Sequence, residues 1–292
     1  MNGLLVIDKP GGITSHDVVS RLRRITGEKS IGHLGTLDPM ATGVLPLLMG
    51  KFTRLAQYFS AAEKSYSGTI RFGVATDTYD ADGERVGEQV HPSLTLEQVR
   101  GAAARFHGEM EQMPPQFSAK KIAGVPAYKL ARAGKPVELK TARITIRAFE
   151  IRALAGDEAT FAMSISAGGY VRSVAHELGR DLGCGAHLSS LRRTQAGVFT
   201  LEDARTLEEL ERIAADLRAL EACCIHPRSL LTEMPSVSGD DFALGRLRNG
   251  AQANLPEFTQ APLVKVFAGQ RELVGVAKRV AGTLFQPVVV MG

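Results

Sequence analysis

The residues best suited to chemistry lie in one fifteen-residue stretch, Gly32-His33-Leu34-Gly35-Thr36-Leu37-Asp38-Pro39-Met40-Ala41-Thr42-Gly43-Val44-Leu45-Pro46. Its three glycines and two prolines describe an irregular loop that can present the Asp38 carboxylate in a rigid pose. The residues alone leave a second reading open: Asp-Pro also begins ordinary turns, and His33 also serves as a structural histidine. Other motifs fail on spacing. His176-Glu177-Leu178-Gly179-Arg180 begins like a zinc helix but has Arg where the second histidine is needed. Gly50-Lys51 resembles the end of a phosphate loop, yet position 45 is Leu and position 52 is Phe. Asp80-Ala81-Asp82-Gly83 would start a calcium loop at Thr78 and end it at Gln89, so it reads as a plain turn. No metal and no cofactor are expected.

A carboxylate needs a scaffold, and 292 residues make room for about two domains at roughly 150 residues each. With 44% hydrophobic and 23% charged residues, a packed core is expected and wholesale disorder is excluded. No apolar run nears the roughly 20 residues of a membrane span. Leu4 to Ile7 lacks the basic flank of a signal peptide, so a cytoplasmic protein is expected. Cys184, Cys223 and Cys224 cannot form a disulfide framework and read as small buried residues in a reducing compartment. The net charge of +4 says little by itself. Eight basic residues against the single acid Glu138 fall between Pro114 and Arg147, a local excess that suits a polyanion or an ordinary solvated surface.

The elements that must hold Asp38 follow from periodicity. Leu4 to Ile7 predicts a buried strand. Thr14 or Ser15 caps a helix bearing Val18, Val19, Leu22 and Ile25, which Gly27 stops. A helix is expected near Phe52, Leu55, Ala56 and Phe59. Strand alternation marks Thr69 to Val74, Arg143 to Arg147 and Phe161 to Ile165. Val171, Ala175, Leu178 and Leu182 share a helical face. Leu201 to Glu221 reads as one solvated helix and Pro235 to Gly239 as a linker. Short strands over Pro262 to Val266, Glu272 to Val276 and Gln286 to Met291 suggest a small β module.

The Asp38 string resembles the active-site signature of the TruB family of pseudouridine synthases, in its bacterial tRNA form. Further matches run in order along the chain: Lys9-Pro10-Gly11-Gly12-Ile13-Thr14-Ser15, Lys64-Ser65-Tyr66, Thr76 to Asp80, Pro114-Pro115-Gln116-Phe117-Ser118-Ala119, Gly169-Tyr170-Val171-Arg172-Ser173 and Leu191-Arg192-Arg193-Thr194. Gly169 and Val171 stand where the family often has Thr and Ile.

The resemblance implies an α+β pseudouridine synthase fold: a mixed, largely antiparallel sheet flanked by helices, an RNA-gripping insertion and a small C-terminal PUA-like β domain. It sets a catalytic domain at 1–232, with the insertion at about 114–147, and the C-terminal domain at 233–292. It implies isomerisation of uridine to pseudouridine at position 55 of the tRNA T-arm loop. Asp38 becomes the essential carboxylate, Arg172 its partner and Tyr66 the group reaching C5 of the base, with Leu191 packing on the other side. Lys9, Lys64 and Tyr170 belong to the substrate-binding motifs. Because such a base must leave its stack, His33 is the candidate for the vacated place. Lys120, Lys121, Lys129 and Arg132 are expected on phosphates, with Tyr128 and Phe117 as stacking surface. The expected partner is tRNA, bound by a monomer without guide RNA or membrane. A guide-RNA-dependent relative and a non-catalytic tRNA-folding protein are the rival readings.

Overall fold

The computed structural model describes residues 1–118, 120–122, 124–127, 130, 133 and 139–291. Among these, ten strands form the main sheet. They are β1 (Gly3–Lys9), β2 (Ile31–His33), β3 (Thr42–Met49), β4 (Lys64–Phe72), β5 (Gly108–Gln112), β6 (Ala142–Ala155), β7 (Glu158–Ile165), β8 (Ala186–Ala196), β9 (Phe199–Thr200) and β10 (Ala204–Arg205). Their order is β10-β1-β3-β8-β4-β7-β6-β5, with β2 on β3 and β9 on β8. Only β1–β10 and β3–β8 pair in parallel. The sheet is therefore mixed and largely antiparallel, as expected.

The unbroken apolar run of β1 has a physical reason: the strand is buried on both faces. Leu5 and Ile7 join the core that also holds helices α1 (Ser15–Thr26), α2 (Leu96–Ala103) and α3 (Val171–Asp181). Leu4 and Val6 point the other way, with Val44 and Leu48 of β3, into a second core. That second core is closed by the C-terminal sheet through Phe267, Leu273, Val276 and Val289. α1 is framed as its sequence suggests. Thr14 makes a capping box with Asp17, and Gly27 ends the helix at φ 68°.

After the short helices α4 (Leu207–Arg212) and α5 (Leu217–Ala222), the chain enters a five-stranded C-terminal sheet. It contains β11 (Ser236–Ser238), β12 (Ala253–Asn254), β13 (Leu263–Ala268), β14 (Glu272–Ala281) and β15 (Leu284–Val290), with α6 (Asp241–Arg248) packed on it. Buried Lys265 ties the incoming segment down by donating to the carbonyls of Arg228 (2.9 Å) and Leu230 (2.5 Å). No helix among the described residues is long and apolar enough to cross a membrane.

Several elements differ from the sequence reading. The Gly32–Pro46 loop is irregular only in its middle, since His33 ends β2 and Thr42 to Pro46 belong to β3. Pro46 is accommodated because its carbonyl, not an N–H, is what Leu34 N requires at 2.9 Å. The helix at Gly50–Tyr58 is a 3-10 helix. Leu201 to Glu221 is not one helix: Thr206 and Asp216 cap separate helices, which bury Leu207, Leu210 and Leu220. The supposed linker at Pro235 to Gly239 contains β11, which pairs in parallel with β13. The three cysteines are free and half-buried.

Gly43 sits where β3 meets β8 in parallel, at φ 99°, and a Cβ there would lie 2.2 Å from the Arg193 carbonyl oxygen. Gly43→Ala is expected to cost about 3 kcal/mol through backbone strain and collision. A urea titration should show the lower midpoint at an unchanged m-value.

Candidate active site

Asp38 stands in the turn between β2 and β3, with both neighbours pinned. Leu37 exchanges two hydrogen bonds with the buried Ser15 hydroxyl, its N–H donating at 2.8 Å and its carbonyl accepting at 3.0 Å. The Pro39 carbonyl accepts from Gly12 N at 2.9 Å and from the Lys9 ammonium at 3.1 Å. Lys9 gives its other two protons to the carbonyls of Pro10 (2.8 Å) and Ile13 (2.6 Å). The N-terminal Lys-Pro motif is thus a cradle for the carboxylate turn.

Arg172 enters from the first turn of α3. Its Nη2 donates to Asp38 Oδ1 at 3.0 Å and to the Phe117 carbonyl at 2.9 Å. Its Nη1 donates to the Thr78 carbonyl at 2.9 Å and lies 3.2 Å from Asp80 Oδ2. Nε is 2.9 Å from Asp38 Oδ2, close enough for strong attraction but not aligned as a hydrogen bond. The helix start is held by Gln112 at the end of β5, whose amide accepts from Tyr170 N (2.8 Å) and donates to Tyr170 O (3.0 Å).

The remaining wall comes from the sheet centre. Tyr66 on β4 is directly opposite Arg193 on β8, and Leu191 is opposite Gly68, so Tyr66, Leu191 and Arg193 share one face. These residues, with Asp38, Lys64, Tyr170 and Arg172, enclose a cavity of about 220 Å³. That is smaller than the roughly 300 Å³ at which pockets for drug-sized ligands begin, and of the order of one nucleobase. A larger cavity of about 740 Å³ lies between the start of β1 and the C-terminal sheet, but it contains none of the expected site residues.

Residues 23–171 match the family described as TruB family pseudouridylate synthase (N terminal domain), and residues 172–230 match the tRNA pseudouridylate synthase B C-terminal domain. The chain belongs to the TruB family. It is 45% identical to the tRNA pseudouridine synthase B of Solibacter usitatus (strain Ellin6076), over 100% of both chains. It is 40% identical to that of Burkholderia mallei (strain NCTC 10247), covering 97% of this chain and 95% of the relative. The Cbf5–Nop10–Gar1 complex matches at a TM-score of 0.72 and 25% identity, over 99% of this chain and 85% of the other. The archaeal box H/ACA sRNP Nop10–Cbf5 complex matches at a TM-score of 0.70 and 24% identity, over 99% and 86%. The mixed sheet and C-terminal β unit are therefore the pseudouridine synthase fold of TruB-family enzymes, which are isomerases.

In this TruB-family site, burial pushes the Asp38 carboxyl above the usual carboxylate range, against the pull of Arg172 and with the help of the nearby charges of Asp80 and Asp82. About a third of its side-chain surface still opens to the cavity, so water tempers the desolvation until something fills the space. Burial also pushes the Tyr66 phenol up, and Arg193 beside it works in the opposite direction. Left to itself, the site makes Tyr66 a weaker acid than a free tyrosine, so its phenolate forms less readily.

The structure gathers Asp38, Lys64, Tyr66, Tyr170, Arg172 and Leu191 around one cavity. It does not bring Lys9 there. Lys9 has no exposed surface, all three ammonium protons are taken by carbonyls, and burial lowers its pKa to about 8, so it braces the loop instead of touching substrate. His33 lies outside the lining, its Nδ1 buried without a hydrogen-bond partner among the described residues. Lys120 donates to the Lys140 carbonyl, Lys121 is described only in its backbone, and Lys129, Arg132 and Tyr128 lie outside the described residues. Arg143 and Arg147 belong to β6 and pair with Glu109 and Glu63, so the basic window includes sheet residues already engaged. Sequence reasoning missed Asp80, Gln112 and Arg193. Asp80 looked like part of a plain turn, and Arg193 carried only its place beside Leu191.

The balance around Asp38 can be read directly by carboxyl-carbon NMR titration. Asp38 is expected to titrate above the roughly 3.9 of a free aspartate. Arg172→Gln should move it higher and Asp80→Asn lower, because the first removes an attraction and the second a repulsion.

Proposed function

We propose that this chain converts the uridine at position 55 of the tRNA T-arm loop to pseudouridine. The observation that carries the reading is the base-sized cavity with Asp38 held at its wall by Arg172. The full-length relatives named tRNA pseudouridine synthase B support tRNA as the substrate. The C1′–N1 bond breaks, the base turns and a C1′–C5 bond forms. C5 loses its proton and N1 gains one, so no oxidant, reductant or group donor is consumed.

Asp38 acts beside the glycosidic bond, by attack at C1′, attack at C6 or removal of a sugar proton, and each route starts from the carboxylate. Arg172 holds that carboxylate ionised and oriented. Tyr66 stacks on the uracil and takes the C5 proton, with Arg193 opposing in part the burial that makes its phenolate harder to form. Leu191 closes the opposite side. Flipping the uridine costs a few kcal/mol of stacking, and His33 at the end of β2 is the residue we assign to the vacated space. Residues 1–232 form the catalytic unit, with the insertion at about 114–147 for the RNA backbone, and 233–292 are an appended module.

The likeness to Cbf5 complexes raises a guide-dependent reading. The two relatives named tRNA pseudouridine synthase B share 40–45% identity with this chain, against 24–25% for the Cbf5 structures, and this favours the stand-alone tRNA reading.

With a T-arm transcript labelled with tritium at uridine C5 and no guide RNA, the protein is expected to release tritium, and Asp38→Asn to release none above background. Release only in the presence of a guide RNA would favour the second reading. Neutralising Lys120, Lys121, Lys129 and Arg132 together should weaken tRNA binding. The log–log salt dependence should flatten by about 0.7–0.9 for each phosphate no longer neutralised, measured by filter binding across salt concentrations.

A further inference from the structure

Tyr79 is strained where strain has a readable purpose. Its φ of 65° lies in the left-handed region, which a bulky side chain rarely adopts and glycine adopts freely. Its ring stacks on His176, with centroids 3.9 Å apart and planes 17° from parallel. His176 lies one helical turn beyond Arg172 on α3. Its buried Nδ1 has no hydrogen-bond partner among the described residues, so it is the ring face that makes this identified contact.

The two residues flanking Tyr79 are the ones that grip Arg172 Nη1, through the Thr78 carbonyl at 2.9 Å and Asp80 Oδ2 at 3.2 Å. Asp80 is fixed in turn by Thr78 Oγ1 (2.6 Å) and Asp82 N (3.1 Å) on its Oδ1, and the Tyr79 carbonyl accepts from Leu188 N on β8 at 3.0 Å. We infer that Tyr79 and His176 are positioning residues for the isomerisation: their stack locks the strained turn against α3 and so sets the orientation of Arg172 toward Asp38. A turn alone would be served better by glycine; the aromatic ring is retained for its contact with the helix that carries the arginine. The inference rests on the proposed function for its kinetic consequence, but its geometric claim stands apart from it.

The test uses full-length Tyr79→Gly, Tyr79→Phe, His176→Ala and His176→Phe, with folding checked by thermal melting. Nitrogen-resolved NMR of the Arg172 side chain reads its restraint without any substrate. Wild type and both Phe variants should show separate, slowly exchanging Nη protons, and the two stack-less variants should show them averaged. With the T-arm transcript, Tyr79→Gly and His176→Ala should lose about ten- to a hundredfold in kcat at little-changed KM, a size typical of small misplacement, with rescue by the Phe variants. His176→Ala leaves the turn's own sequence intact and carries the test if Tyr79→Gly fails to fold. Unchanged Arg172 resonances in a folded stack-less variant would overturn the inference. Absence of turnover by the wild type would instead overturn the functional reading, and the NMR result would still decide this one.

Discussion

The guanidinium of Arg172 is a single buried positive charge facing two carboxylates and two backbone carbonyls. Those partners come from the Asp38 turn, the Thr78–Asp80 turn and Phe117, while Arg172 itself belongs to α3. Four stretches of chain distant in sequence are therefore held in register by one side chain. Removing it would leave two carboxylates of like charge near one another without compensation, which is among the costliest changes a protein interior meets. The planar fork matters as much as the charge. An ammonium offers three donors from one point and could not span the same partners in fixed geometry.

That convergence works only if the pieces arrive rigid. On the Asp38 side, rigidity comes from Lys9, Gly12 and Ser15, which fasten Leu37 and Pro39 to the segment joining β1 and α1. A wholly buried ammonium is expensive, and burial lowers the Lys9 pKa to about 8 although Asp38 pulls it the other way. Three carbonyls offset it, and the result is a loop whose carboxylate has little freedom left to lose when substrate arrives. On the Arg172 side, the helix lacks a capping side chain of its own, and Gln112 supplies both bonds to Tyr170 from the end of β5. Behind both stands a sheet buried on two faces, one under the helices and one under the C-terminal strands.

How much of this was legible in the chain depends on the range of the interactions. β1, α1 and its caps are local events, and Leu4 to Ile7, Thr14 and Gly27 announce them. β11 is decided by a partner strand distant in sequence, and α4 is separated from α5 by the local caps Thr206 and Asp216, which leucine spacing alone passed over. Asp38 stood out in its glycine- and proline-rich loop, but its role as the site carboxylate, like the roles of Tyr66 and Arg172, was legible only through family resemblance. Asp80 was not, because an acidic residue in an Asp-Ala-Asp-Gly turn has nothing local to say that it is buried against an arginine 92 positions later. Lys9 misled for the same reason: its motif was visible, but only the fold reveals that carbonyls consume its protons.

The electrostatics of the cavity are set for the moment it is filled. In the free protein, a third of the Asp38 side chain is open to the cavity, and water there screens its repulsion by Asp80 and its attraction to Arg172 alike. In the proposed reading, a base entering between Tyr66 and Leu191 would replace that water with low-dielectric matter, and every charge interaction at the wall would strengthen together. Desolvation alone would then favour a protonated, inert Asp38. The guanidinium opposes that tendency only while it points at the carboxylate, since a point contact and a two-nitrogen approach differ most when the dielectric is low. Orientation of Arg172 is thus worth little in an open site and a great deal in a closed one. This explains why so much of the surrounding fold, from Gln112 to the strained turn at Tyr79, is committed to holding one side chain still.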